Sequence, residues 1–151
     1  AIMNVEGLKA NIDNVREIAT SVGRQFGVYA SGHMIARPTR KEAQDFYHYI
    51  VHEMGDWEAA EHAARIRTKG RDTPYAQLKE LKERLIGGVG TFPVVGSYDD
   101  IAELYQRMSG AGLDGMAVGL VHYVNEFHHL RDGVLPRMER LGLRQKARSD
   151  A

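Results

Sequence analysis

Twice in this chain a strand-like apolar stretch runs directly into a helix-start signal. Phe92-Pro93-Val94-Val95-Gly96 leads to Ser97, which forms a capping box with Asp100. Phe26 to Ala36 leads to Thr39, which forms another with Glu42. In such a box the cap side chain accepts from the third helical amide, and the acidic side chain returns to the cap's own amide. A strand that ends at a capped helix cannot double back as a hairpin. It must cross over, and such crossovers lay successive strands parallel. Gly115-Met116-Ala117-Val118-Gly119-Leu120-Val121 is a third apolar run, as expected for a strand buried on both faces of a parallel sheet. The fold class is therefore α/β.

The rest of the chain supplies the helices. Asn4 is placed to cap a first helix, with Leu8, Ile12, Val15, Ile18, Ala19 and Val22 at helical spacing and Gly23 ending it. After Thr39, a helix with Ala43, Phe46, Tyr47, Ile50, Val51 and Met54 on its apolar face runs to Gly55. Residues 55–86 read as a mostly polar helical insertion: Asp56 caps one helix to about Arg67, and Thr73-Pro74 starts another. Gly87-Gly88-Val89-Gly90 reads as a tight loop entering the second strand. Val124, Phe127, Leu130, Val134, Leu135, Met138 and Leu141 fit one or two final helical segments, with Pro136 kinking or restarting the helix. The domain spans 1–143, and 144–151 is a charged tail.

Composition narrows the function. Twenty basic and 20 acidic residues cancel, which argues against a partner such as nucleic acid or an anionic membrane. Without cysteine there is no disulfide, thiolate metal site or thiol nucleophile, and the lack fits a reducing cytoplasm. No apolar run approaches the ~20 residues of a membrane span. The chain begins Ala1-Ile2-Met3, which reads as a trimmed or partial chain. Three parallel strands alone would leave two unpaired edges, so a further chain segment or a second copy is expected to cover them.

Arg37-Pro38-Thr39-Arg40-Lys41-Glu42-Ala43, the segment Gly87 to Ser97, the turn Gly112-Leu113-Asp114-Gly115, Val134-Leu135-Pro136 and Leu141-Gly142-Leu143 together resemble one family. They resemble the C-terminal part of a bacterial luciferase-like, flavin-dependent monooxygenase, close to the alkanesulfonate and dimethylsulfone enzymes. The resemblance implies a TIM (β/α)8 barrel of which this chain carries about strands six to eight with their helices. It is incomplete as a single chain, and inactive alone. It also implies reduced FMN as cofactor, a separate flavin reductase to supply it, and dioxygen and a small organic substrate of which organosulfur compounds are one class. A non-catalytic barrel relative with a structural or binding role, or a deazaflavin-dependent oxidoreductase of the same fold, are the alternatives.

Within that frame His33 is the catalytic candidate, at the C-terminal end of its strand where such barrels build their sites. Its implied role is to donate a hydrogen bond or proton to the oxygenated flavin or the substrate. The alternative is a barrel-lining residue satisfied by a neighbour. Ser31, Gly87, Gly88 and Gly90 are candidates for cofactor binding, the glycines through backbone amides. Ser31 stands where alkanesulfonate enzymes often carry arginine, so a guanidinium fork for a sulfonate is lost. Residues 55–86 match a mobile lid, with Arg67 and Arg71 as candidate contacts for an anionic substrate or as solvated loop charge. His122 and Tyr123 follow the last strand and could face substrate. No metal site is expected. His48 and His52 have zinc-like spacing on a polar helix face, and His128 and His129 are adjacent and expected on different faces.

Overall fold

A computed structural model of the chain describes residues 5–145. The proposed Asn4 cap and most of the charged tail lie outside them. The elements are α1 (Val5–Ser21), β1 (Tyr29–Arg37), α2 (Arg40–His48), a π-helical turn (Tyr49–Glu53), α3 (Trp57–Thr68), α4 (Tyr75–Gly88), β2 (Phe92–Ser97), α5 (Tyr98–Gly110), β3 (Gly115–Leu120), α6 (Tyr123–His128), a second π turn (His129–Val134) and α7 (Leu135–Arg140). Both capping boxes form as read: Thr39 with Glu42, and Ser97 with Asp100. Arg40 then joins the two helix starts by donating from Nε to Asp100 Oδ2 at 3.0 Å.

The sheet is parallel, in the order β2-β1-β3. β1 lies in the middle, whereas three consecutive strands of a closed (β/α)8 barrel would run β1-β2-β3 with β2 central. In β1, residues Tyr29 to Met34 pair with Gly115 to Leu120, and Gly32 to Arg37 pair with Phe92 to Ser97. β3 was expected to be buried on both faces, but it is a half-exposed edge strand. Its apolar run reflects small residues rather than burial.

One sheet face carries the main core. Met34 and Ala36 of β1 and Val94 of β2 pack with Leu8 and Ile12 of α1, Ile101, Tyr105 and Met108 of α5, and Val134. Arg16 locks α1 onto the turn before β3, donating to Gly112 O at 2.8 Å and to Asp114 at 3.0 Å. Asp114 in turn receives the Val28 amide at 2.7 Å. The far half of the α1 stripe is open: Val15, Ile18 and Val22 are exposed, as are Phe26 and Tyr29. The opposite sheet face is uneven. Ile35 and His33 are buried, while Ser31 and Tyr29 are not.

Two local readings change. α4 continues through Gly87 and Gly88, so these glycines are the last turn of a helix and not a loop. Glycine costs about 1 kcal/mol in a helix relative to alanine, and what offsets it is packing described below. The helix ends at Val89, which adopts φ +56°, followed by Gly90 at φ +82°. The helix after Thr39 gives way to a wider turn at Tyr49, and the last helix does the same at His129. His128 and His129 consequently approach to 3.9 Å between ring centroids instead of pointing apart.

Candidate active site

The open half of the second sheet face forms a concavity of about 400 Å³. Its floor follows from register. Ser31 lies beside Ala117, and His33 between Pro93 and Gly119. In-register neighbours point to the same side of a sheet. Ala117 and Gly119 therefore leave space beside Ser31 and His33 that larger residues would fill, while the Tyr29 ring covers Gly115. The wall is the C-terminal turn of α4 with Val89 and Thr91, and Tyr123 stands at the rim. The concavity thus brings together Ser31, His33, Gly87, Gly88 and Tyr123 from the sequence candidates.

His33 is only 4% exposed. Its Nδ1 lies 3.0 Å from Thr91 Oγ1. Thr91 spends its single hydroxyl proton on Gly88 O, at 2.6 Å. Hence Thr91 must accept from His33, which assigns the proton to Nδ1 and leaves Nε2 a bare acceptor. Nε2 is buried without a hydrogen-bond partner. Burial, helped by the Arg84 charge, lowers the imidazole from its ordinary 6.5 to about 4, so the ring is neutral at pH 7. The expected direction of donation is reversed: the ring's one N–H is committed to Thr91, and Nε2 is able only to receive.

The same neutrality makes stability depend on pH. The unfolded chain takes up a proton near pH 6.5 that the folded chain refuses until about pH 4. Stability is therefore full above the unfolded value and falls as the pH drops through that window. Between pH 7 and pH 5 the loss should be about 1–2 kcal/mol, the lower figure allowing for solvent screening. His129, also lowered by burial, adds in the same direction. Urea unfolding at the two pH values measures this. In His33→Asn, whose amide still donates to Thr91 but does not titrate, the difference should shrink. An unchanged slope would place the effect elsewhere.

Other candidates are positioned differently from expectation. The backbone of Gly87 to Gly90 offers no free amide cradle. Gly87 and Gly88 are helical, and the Gly90 amide donates to Arg84 O at 2.7 Å. A helix C-terminus also presents carbonyls and partial negative charge, the wrong sign for a phosphate. The glycines serve close approach instead. A Cβ on Gly88 would sit 2.2 Å from the His33 ring, and one on Gly90 would sit 2.1 Å from the Arg67 guanidinium. Arg67 and Arg71 do not reach the concavity and line a separate cleft. His122 is spent as a cap, its Nδ1 accepting the Asn125 amide at 3.2 Å. Among the described residues no three His, Cys, Asp or Glu side chains converge on a metal-sized site, and no helix is long and apolar enough to cross a membrane.

Residue reading missed Thr91, which sets the tautomer, and the pair Arg37–Glu126 at the C-terminal end of β1. Arg37 holds the buried Glu126 through two bonds, of 2.7 and 3.0 Å, and stacks over Phe46. Neither has a local sequence signal.

Comparison with known proteins bears on the fold. No protein-family model matches the chain. An FMNH2-dependent dimethylsulfone monooxygenase of Pseudomonas putida is 24% identical over 149 residues, covering 95% of this chain and 41% of that enzyme. One of Pseudomonas fluorescens (strain Pf0-1) is 25% identical over 143 residues, 91% of this chain and 39% of the enzyme. The crystal structure of DmoA from Hyphomicrobium sulfonivorans superposes with TM-score 0.76 over 92% of this chain and 36% of its own, at 17% identity. The chain is similar to part of a luciferase-like flavin-dependent monooxygenase. A riboflavin lyase (RcaE), crystallised with modified FMN and riboflavin, also superposes, with TM-score 0.73, 19% identity, and 93% and 37% coverage. The α/β chain thus has the fold of part of such a barrel. It spans about two fifths of the length of these monooxygenases.

Proposed function

We propose that this chain supplies the C-terminal part of a (β/α)8 monooxygenase that uses reduced FMN and dioxygen on a small organic substrate. Dimethylsulfone and related organosulfur compounds are the first candidates, because the curated relatives are named for that reaction. The carrying observation is His33: a neutral, buried imidazole in the wall of a small-residue concavity, with an unpartnered Nε2. An orphaned acceptor costs about 1–3 kcal/mol unless a donor arrives. The flat ring of a reduced flavin fits the glycine- and alanine-lined floor. Nε2 itself has no exposed surface and lies against Gly87, so a donor reaches it only when the last turn of α4 shifts.

Bound FMN would supply the electrons that activate dioxygen. The chain's own residues do the rest. Thr91 holds the His33 ring in the tautomer that leaves Nε2 an acceptor, and Nε2 receives a hydrogen bond or proton once the last turn of α4 moves off it. Ser31 and Tyr123 offer hydroxyls to a small polar substrate at the rim. The exposed apolar residues Val15, Ile18, Val22 and Phe26, with the open outer edges of β2 and β3, are surfaces the remaining barrel would cover. A separate reductase delivers the reduced cofactor.

The test uses the longer protein carrying this chain, supplied with a reductase, FMN and isotopically labelled dioxygen. Label should enter the oxidised organosulfur product. His33→Asn should lower kcat at least tenfold while FMN affinity stays within a few-fold. Flavin binding with no label in any organosulfur product would instead indicate a non-catalytic relative.

A further inference from the structure

We propose that the cleft between α3 and α4 binds a small oxyanion, either inorganic phosphate or the phosphoryl group of a phosphomonoester. This site is distinct from the His33 concavity, and the turn Val89 to Thr91 separates the two.

The cleft has a volume of about 540 Å³, and three arginines line it: Arg67, Arg71 and Arg84. Each is tethered by a neutral carbonyl. Arg67 donates to Val89 O at 2.9 Å, Arg71 to Thr68 O at 3.1 Å, and Arg84 to Gly90 O at 2.9 Å. These bonds position the guanidiniums without cancelling their charge. Arg67 and Arg71 are exposed and Arg84 is half-buried. The half-buried Arg16, Arg37 and Arg137 have carboxylate partners in Asp114, Glu126 and Asp99, whereas half-buried Arg84 does not. Among the described residues, none of the three cleft arginines makes such a pair. Asp72 and Glu80 line the same cleft but lie beyond ion-pair distance of them.

Three positive charges against two negative, with the positive ones pre-positioned, leave a net attraction for an anion. Guanidinium forks match the oxygens of phosphate, and tethered side chains lose little entropy on binding. Gln77 on the first turn of α4 adds an uncharged polar wall, and Pro74 at the cap of that helix contributes no side-chain acceptor. α4 starts beside the cleft and α3 ends beside it, so the two helix ends offset each other and the arginines carry the attraction.

Calorimetric titration of the full chain at low ionic strength tests this, with inorganic phosphate, FMN and riboflavin as separate ligands. One phosphate per chain is expected. Arg71→Gln, which removes a guanidinium tethered only within its own loop, should weaken binding at least tenfold. Gln77→Glu leaves every tether intact and places a negative charge in the cleft, so it should weaken phosphate equally. FMN binding that exceeds riboflavin binding and is lost in Gln77→Glu identifies a flavin phosphate as the source. Phosphate sensitivity alone, with FMN and riboflavin equal, identifies free phosphate. No phosphate binding, or binding unchanged in both variants, overturns the proposal.

Discussion

Replacing Glu126 by Gln is expected to cost about 3 kcal/mol of stability. The pair it breaks is buried on both sides, with the Arg37 and Glu126 side chains 13% and 10% exposed. Arg37 also donates to Ala36 O at 2.8 Å and lies 4.1 Å from the Phe46 ring centroid, so it cannot swing out to water without losing both. Glutamine keeps the shape but leaves a guanidinium without its counter-charge in a low-dielectric setting. The double variant Arg37→Met with Glu126→Leu should recover most of the loss, since the pair's penalty is the isolated charge rather than the missing attraction. Urea unfolding of the two variants decides this. A loss below about 1 kcal/mol for Glu126→Gln would show that the pair is not dry.

Gly88→Ala should also destabilise, by about 3 kcal/mol, although alanine is the better helix former by about 1 kcal/mol. The added Cβ would overlap the His33 ring at 2.2 Å, and the ring is closed in by β1 and the Thr91 bond. Overpacking costs about 1–3 kcal/mol, and a broken buried hydrogen bond adds about 1 kcal/mol. Gly110→Ala is the control: it is also helical, and a Cβ there meets nothing within 4 Å, so it should be neutral or stabilising. The pH dependence assigned to His33 should weaken in Gly88→Ala, because the ring is displaced. If the variant proves as stable as the parent, α4 does not pack on His33 as described.

The sequence exposed some of this and hid the rest for identifiable reasons. The two capping boxes, the three strands and the helical insertion were readable, because each depends on residues within one or two turns of each other. The π turns at Tyr49 and His129 were not, since a wider turn leaves no distinct apolar period. The β2-β1-β3 order was not either: strands six to eight of a barrel imply β1-β2-β3, and a parallel crossover looks alike along the chain whether it reaches the next strand or skips past one.

The glycine run shows the division most clearly. As sequence, Gly87 to Gly90 was either a tight loop or a cofactor-binding cradle of backbone amides. The fold makes it neither, bringing His33 and Arg67 so close to Gly88 and Gly90 that only glycine fits. His33 and Thr91 are 58 residues apart, and Arg37 and Glu126 are 89 apart. Local hydrogen bonding, capping and alternation are settled by near neighbours, so the sequence alone determined the α/β class. His33, expected near the C-terminal end of its strand, lies at the middle of β1 because the strand starts at Tyr29 and runs on to Arg37. Which proton His33 carries, which arginines share a cleft, and which carboxylate is buried depend on contacts between distant segments. Only tertiary packing decides those, because burial and long-range pairing set the energy of a charge or an orphaned acceptor.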